Sequence, residues 1–229
     1  IAVAPPILAQ ARNHATLAMV AEPQTLDPMA STADLVGTIM QHVYETLYTF
    51  DAKWNVVPML AESLPKVGAD GKSYSITLRK GVMLHSGREL NADDVVASLQ
   101  RWMAQSPRGK AVGKEIDSIK TSGATGIDIV LKQPYAPLLS QLALPSGMAA
   151  IMAKETIASP LTAFVGTGPY QFKERKPDAF VVLTRFDKYS ARKEAPSGYG
   201  GKREAAIAEL RFVPVPNANT RVEGALAGQ

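Results

Sequence analysis

The chain has 229 residues, of which 46% are hydrophobic and 20% charged, with a formal charge of +4 and no cysteine. That length and apolar content suffice to bury the core of one or two domains of an ordinary α/β protein. The charge is spread along the chain without a run of one sign, which excludes the basic footprint of a nucleic-acid binder, and the lack of cysteine excludes a disulfide framework, a thiolate nucleophile or metal site, and a lipidated anchor.

Residues 1–11, IAVAPPILAQA, are apolar and uncharged and end in Ala9-Gln10-Ala11. An A-x-A ending after an apolar stretch resembles the end of a signal peptide, so these residues are expected to be its remnant and the rest an exported chain, the other reading being a plain apolar N-terminal arm. No later apolar run approaches the ~20 residues that span a bilayer, so membrane crossing is not expected.

Residues 16–21 read as a short apolar strand, and 22–34 as a loop containing Pro23-Gln24-Thr25-Leu26-Asp27-Pro28. Leu35, Val36, Ile39, Met40, Val43, Tyr44 and Leu47 then recur at helical spacing, predicting one helix with a core-facing stripe. His42 lies beside the stripe with no second histidine at i+4, and no metal site is expected. From Thr49 the chain turns strand-rich. Asp70-Gly71 suits a hairpin turn, and Tyr74, Ile76 and Leu78 alternate with Ser73, Ser75 and Thr77 as a half-buried strand. Asn91 is placed as the N-cap of a helix whose first turn holds Asp93 and Asp94 and whose inner face holds Val95, Val96, Leu99 and Met103. Each of the two acids is expected to contribute only a helix-terminus effect of about 0.3–1 kcal/mol.

Further on, strands at 116–120 and 127–131 flank a turn at 121–126. Leu138, Leu139 and Leu142 restore helical spacing until Pro145-Ser146-Gly147 breaks it. Val165-Gly166-Thr167-Gly168-Pro169-Tyr170 leads into a hairpin pattern at 171–175 and 178–185, followed by a strand at 209–215 and the start of an amphipathic helix at 219–228.

Several of these segments carry a resemblance. Leu78-Arg79-Lys80-Gly81-Val82, His85-Ser86-Gly87-Arg88, Ala92-Asp93-Asp94-Val95-Val96 and Gly166-Thr167-Gly168-Pro169-Tyr170, in this order and spacing, resemble the family 5 extracellular solute-binding proteins, the peptide- and nickel-type receptors of ABC importers. The resemblance implies an α/β fold of the type II periplasmic binding protein kind, represented here by a first lobe with an inserted subdomain and without the second lobe. Residues 12–48 and 163–229 are expected to form the first-lobe core around one sheet, and 49–162 the insertion.

It also implies a periplasmic protein that captures a peptide or similar small solute in a cleft and delivers it to an ABC permease in the inner membrane, with no catalytic residue, cofactor or metal. Thr32, Ala33 and Asp34 match, by spacing after Leu26-Asp27-Pro28, the loop where oligopeptide-type relatives touch the ligand backbone. Asp34 departs from the apolar residue often found there. An acid could favour an amine-bearing ligand, or it could act as the N-cap ahead of Leu35. Trp102, Arg108, Ser146, Gly147 and Met148 are further ligand-binding candidates, because loops of the inserted subdomain border the cleft in similar proteins; Trp102 reads equally as a core residue and Arg108 as a solvated loop charge.

Two rival classes are weighed against this reading. A periplasmic hydrolase or transferase would use Asp93, Asp94 or His85 as general acid or base, which needs two such groups within hydrogen-bond reach. A stand-alone interaction module would dock to a permease without gripping ligand. Gly166-Thr167-Gly168 fails as a dinucleotide fingerprint because Gln171 occupies the third small position and Pro169 interrupts the helix start. Ser197-Gly198-Tyr199-Gly200-Gly201-Lys202 fails as a phosphate loop, since Pro196 replaces the first glycine and Arg203 the magnesium-binding hydroxyl, and it is read as a mobile surface loop.

Overall fold

The structure is a computed structural model that describes residues 13–228; the expected signal-peptide remnant at 1–11 lies outside the described residues. In chain order its elements are β1 (His14–Met19), α1 (Asp34–Met40), β2 (Tyr48–Phe50), β3 (Val56–Pro58), β4 (Lys66–Val67), β5 (Ser73–Thr77), α2 (Ala92–Gln105), α3 (Pro107–Gly113), β6 (Ile116–Ser122), β7 (Gly126–Leu131), α4 (Leu138–Ala143), β8 (Tyr170–Lys176), β9 (Phe180–Arg185), β10 (Glu209–Pro214) and α5 (Ala218–Leu226).

Two four-stranded sheets organise them, ordered β1-β10-β9-β8 and β4-β5-β7-β6, with β2 and β3 as a separate hairpin. In the first sheet β1 runs parallel to β10, placing Leu17 opposite Phe212, while β8, β9 and β10 are antiparallel. The second sheet is antiparallel throughout. One apolar core links both sheets, from Met19 and Phe212 through Tyr44 and Leu60 to Ile129 and Trp102. The alternation expected for β5 is present: Tyr74 and Ile76 are buried and Ser75 and Thr77 exposed.

The α2 helix begins as its sequence dictates. The Asn91 side chain accepts from the Asp94 N–H at 3.2 Å while the Asp94 carboxylate accepts from the Asn91 N–H at 3.1 Å, a reciprocal cap that satisfies two otherwise orphaned donors. Val95, Leu99 and Trp102 are its fully buried face.

The first helix is shorter than its pattern. The apolar spacing predicts helix as far as Leu47, yet α1 ends at Met40. Beyond it the backbone is claimed by another segment: the His42 carbonyl accepts from the Tyr170 N–H and the Val43 carbonyl from the Gly168 N–H, both at 3.0 Å. Gly166 and Gly168 permit that approach, since a Cβ on either would lie 2.2 Å from the Val43 oxygen or 2.3 Å from the His42 oxygen. Val43, Tyr44 and Leu47 remain core residues in a turn and the irregular stretch that follows it. Tertiary pairing overrides the local period here.

The 196–202 loop is pinned rather than mobile. Ser197 and Gly200 exchange backbone hydrogen bonds, the Tyr199 N–H donates to the Phe50 carbonyl at 2.9 Å, and Ser197 Oγ accepts from the Ala52 N–H at 3.2 Å. Gly198 has φ +57 and comes so near the 51–52 backbone that an added Cβ would lie 2.5 Å from the Asp51 carbonyl carbon, so only glycine fits.

At the other end, Asn217 caps α5 by accepting from the Thr220 N–H at 3.1 Å. No residue of α5 is buried. Its Val222 and Leu226, one turn apart, are 59% and 84% exposed. Among the described residues no helix is long and apolar enough to cross a membrane.

Candidate functional site

Most of the candidate residues gather near the start of α1. Thr32, Ala33 and Asp34 are all exposed. Ala33 holds the N-cap position with extended backbone and no side-chain cap, and Asp34 is the first residue of the helix. Asp34 therefore does not cap α1, as one reading of the sequence had it. A carboxylate in the first turn still complements the helix dipole, and this one opens onto a groove of about 150 Å³ lined with Gly37, Thr38, Gln41, Pro145, Ser146 and Tyr199.

Gly147 joins the distant segments. It adopts φ +57, and a Cβ there would lie 3.0 Å from Thr32 Cγ2 and 3.4 Å from Arg108 Cδ and Nε, so Thr32, Arg108 and Gly147 meet although they are far apart in sequence. Its carbonyl accepts from Trp102 Nε1 at 2.8 Å and from Ser106 Oγ at 3.3 Å. Trp102 is fully buried and Met148 is 4% exposed, and Gly147 is buried with them; Trp102 and Met148 are core residues beneath the surface at Ser146 rather than groups open to a ligand. The half-buried Arg108 has its Nε enclosed with no hydrogen-bond partner among the described residues. Because that Nε is closed off, a carboxylate gripped by this guanidinium must be reached through its Nη groups.

The loop entering α1 is fixed from behind. Arg101 on α2 is 7% exposed and forms a two-pronged pair with Asp27, Nη1 to Oδ1 at 3.0 Å and Nη2 to Oδ2 at 2.5 Å. Its Nη2 also donates to the Ala158 carbonyl at 3.1 Å. The Asp27 Oδ1 in turn accepts from the Met29 N–H at 3.0 Å. Nothing local in the sequence links Asp27 to Arg101, and the pair went unforeseen.

The groups weighed for acid–base catalysis are occupied elsewhere. The Asp94 side chain is wholly enclosed; it accepts two bonds from Arg88, at 2.8 and 2.6 Å, and one from the Lys154 N–H at 2.9 Å. Burial pushes the Asp94 carboxyl up, but the bonds from Arg88 and the backbone N–H groups outweigh it and hold the group below its ordinary value. Arg88 also pairs with Glu155, and Asp93 sits on the surface with Lys154 at 2.8 Å. His85 is locked between two backbone groups of the 166–168 turn: Nδ1 accepts from the Gly166 N–H at 3.2 Å and Nε2 faces the Gly168 carbonyl at 2.9 Å. That pairing requires the neutral Nε2–H tautomer. Burial, opposed by the bond to Gly168, holds the His85 imidazole below its ordinary value.

The 166–168 turn itself is a packing device. Thr167 is fully buried and donates to Glu45 at 2.9 Å, and Tyr189 donates to the other Glu45 oxygen at 2.7 Å. Among the described residues no three His, Asp or Glu side chains gather where they could hold a metal ion.

Comparison with known proteins places this arrangement. Residues 55–229 match the family described as bacterial extracellular solute-binding proteins, family 5 middle. Across 79% of its length the chain is 31% identical to a probable peptide ABC transporter periplasmic-binding protein of Sinorhizobium fredii, of which it covers 35%. It is 34% identical to the dipeptide-binding protein of Escherichia coli over 72% of its length and 34% of that protein. A probable di/tripeptide-binding protein of Pseudomonas aeruginosa is 32% identical over 99% of the chain and 47% of its own length. Among solved structures, a Pseudoalteromonas dipeptide binding protein in complex with Met-Leu superposes with a TM-score of 0.81 at 26% identity, over 94% of this chain and 46% of the other. NikA of Brucella suis in complex with Fe(III)-EDTA gives 0.78 at 28% identity, over 94% and 42%. The chain thus spans less than half the length of these relatives, and its mixed α/β architecture is part of a type II periplasmic binding protein fold. By its sequence match and its architecture the chain belongs to the family 5 bacterial extracellular solute-binding proteins.

Proposed function

We propose that this chain is the ligand-bearing first lobe of a periplasmic receptor that captures a short peptide and delivers it to the permease of an ABC importer in the inner membrane. The observation that carries the reading is the convergence at the start of α1 of Thr32, Arg108 and Gly147 with the groove between Asp34 and Ser146. A short peptide brings an amine and a carboxylate; Asp34 lines the groove, and Arg108 stands beside Gly147, next to the groove's Ser146. Asp34 takes the amine, Arg108 takes the carboxylate, and Thr32, Ala33 and Ser146 present polar and backbone groups near them. Trp102 and Met148 support that surface from beneath. Clefts of this kind draw selectivity from a few placed polar groups, and closure of a second lobe adds the remaining contacts and excludes water. No bond is made or broken.

On this reading residues 12–48 with 163–229 form the lobe core and 49–162 the inserted subdomain. The division is supported by the sheets, since β1, β8, β9 and β10 fall in the outer segments and β4 to β7 in the insertion. Capture by a receptor, rather than catalysis, is further supported by the engagement of Asp94 and His85 in backbone and Arg88 contacts.

Thermal unfolding of the protein at its natural length, with and without di- and tripeptides, tests the proposal. A bound peptide at a hundred times its Kd should add about 2.7 kcal/mol of stability and raise the melting temperature. Free amino acids and sugars at the same concentrations should leave it unchanged. The absence of a shift with every peptide, alongside a shift with one of those controls, would reject the peptide reading.

A further inference from the structure

The groove that begins at Asp34 does not end there. It shares Gln41 and Tyr199 with a larger cavity of about 410 Å³ that continues past the end of α1, where His42, Tyr170, Lys202 and Arg203 form its walls. Tyr199 also borders a third, narrow recess beside Thr46 and Met148. One aromatic residue thus stands where the three openings meet.

Its loop is built to hold it. The glycine at 198 and the Ser197–Gly200 turn fix the backbone against the β2–β3 hairpin, and Arg203 ties the loop to α1 by donating to the Tyr199 carbonyl at 3.0 Å and the Gln41 carbonyl at 3.2 Å. Trp54, at the tip of that hairpin, packs edge-on against the Tyr199 ring with centroids 6.4 Å apart, and Phe50 backs Trp54 at 5.4 Å. Despite this support the Tyr199 side chain stays 37% exposed. A large apolar face held in place yet left open has already lost most of the freedom that binding would take from it. Together with Pro145 in the groove and Pro196 in the larger cavity, it offers a broad apolar contact beside the polar groups of Asp34, Gln41 and Ser146.

We infer that Tyr199 is a specificity-determining residue of the candidate groove, a rigid aromatic wall against which one apolar or aromatic side chain of a bound peptide packs. The inference rests on the peptide reading above and adds to it a preference among peptides. With polar groups near Asp34 and Ser146 holding the peptide ends and backbone, Tyr199 discriminates by side chain.

Isothermal titration of the protein at its natural length with Ala-Ala, Ala-Phe and Phe-Ala tests it, using Tyr199→Ala and Tyr199→Phe beside the unaltered protein. The unaltered protein should prefer at least one phenylalanine peptide to Ala-Ala. Tyr199→Ala should weaken that peptide about two- to twelvefold, the range of an aromatic pair converted to affinity, and leave Ala-Ala unchanged within error. Tyr199→Phe, which keeps the ring, should retain the preference. Equal weakening of all three peptides by Tyr199→Ala would make Tyr199 a scaffold residue, and unchanged affinities would place it outside the site; either result overturns the inference and leaves the peptide reading standing. If the unaltered protein binds none of the three, the peptide reading and the inference fall together.

Discussion

Arg101 and Asp27, 74 residues apart, form a buried two-pronged ion pair that ties α2 to the loop leading into α1. Both side chains are less than a tenth exposed, so neither charge can fall back on water once its partner is gone. Arg101→Met or Asp27→Asn should each destabilise the fold by about 3–5 kcal/mol, the cost of leaving one member of such a pair uncompensated. Urea unfolding followed by circular dichroism measures this. A loss below about 1 kcal/mol would mean that the pair is solvated and does not fix the ligand-side loop.

The neighbouring acids at the start of α2 should separate sharply. Asp93 pairs with Lys154 in the open, and Asp93→Asn should cost no more than about 1 kcal/mol. Asp94 serves the reciprocal cap, Arg88 and the Lys154 N–H together. Asp94→Asn should therefore cost about 3 kcal/mol or more, because an amide cannot satisfy all of those donors and would bring donors of its own. The expectation of a small, equal effect for both acids misjudged Asp94, and the same urea unfolding would reveal it. Equal losses would contradict the geometry.

What was legible in the sequence was local. The cap at Asn91, the alternation through Tyr74 and Ile76, and the glycine turn before Tyr170 each follow from residues within a few positions of one another, and each is present. What escaped depended on partners far along the chain. The helix pattern through Leu47 is cut short at Met40 because the 166–170 segment takes the carbonyls of His42 and Val43. The loop around Tyr199 reads as mobile from its glycines, yet the same glycines allow it to lie against Asp51 and be held there. Of the candidate site, the residue types were readable, but their convergence was not: Thr32, Arg108 and Gly147 meet only because Trp102 and Ser106 hold the Gly147 carbonyl.

Stability should depend on pH through two of the three histidines. His85 and His42 are both held below the ordinary imidazole value, in each case first by burial. The unfolded chain then binds protons that the folded one refuses, so stability is fully present above the unfolded value of about 6.5 and is lost as pH falls below it. The urea midpoint should be flat from about pH 8 to 7 and decline from about pH 6.5 to 5.5, ahead of the carboxylates. His85→Gln should flatten that decline. A midpoint that rises over the same interval would mean that the imidazoles are charged in the fold, against the bond from the Gly166 N–H to Nδ1.

The ligand groups themselves are tested most directly by titrating the protein at its natural length with a dipeptide, in its unaltered form and as Asp34→Asn and Arg108→Met. Asp34 is exposed at the surface and makes no side-chain cap, while Arg108 has an enclosed Nε without a partner, so neither change removes a contact that the fold requires. If the two grip the peptide amine and carboxylate, each substitution should weaken binding by about tenfold or more, since a charge-assisted hydrogen bond is worth roughly 1.5–3 kcal/mol, while stability to urea falls by no more than a helix-terminus effect of about 1 kcal/mol. Undiminished affinity in both variants would contradict a ligand site at the start of α1.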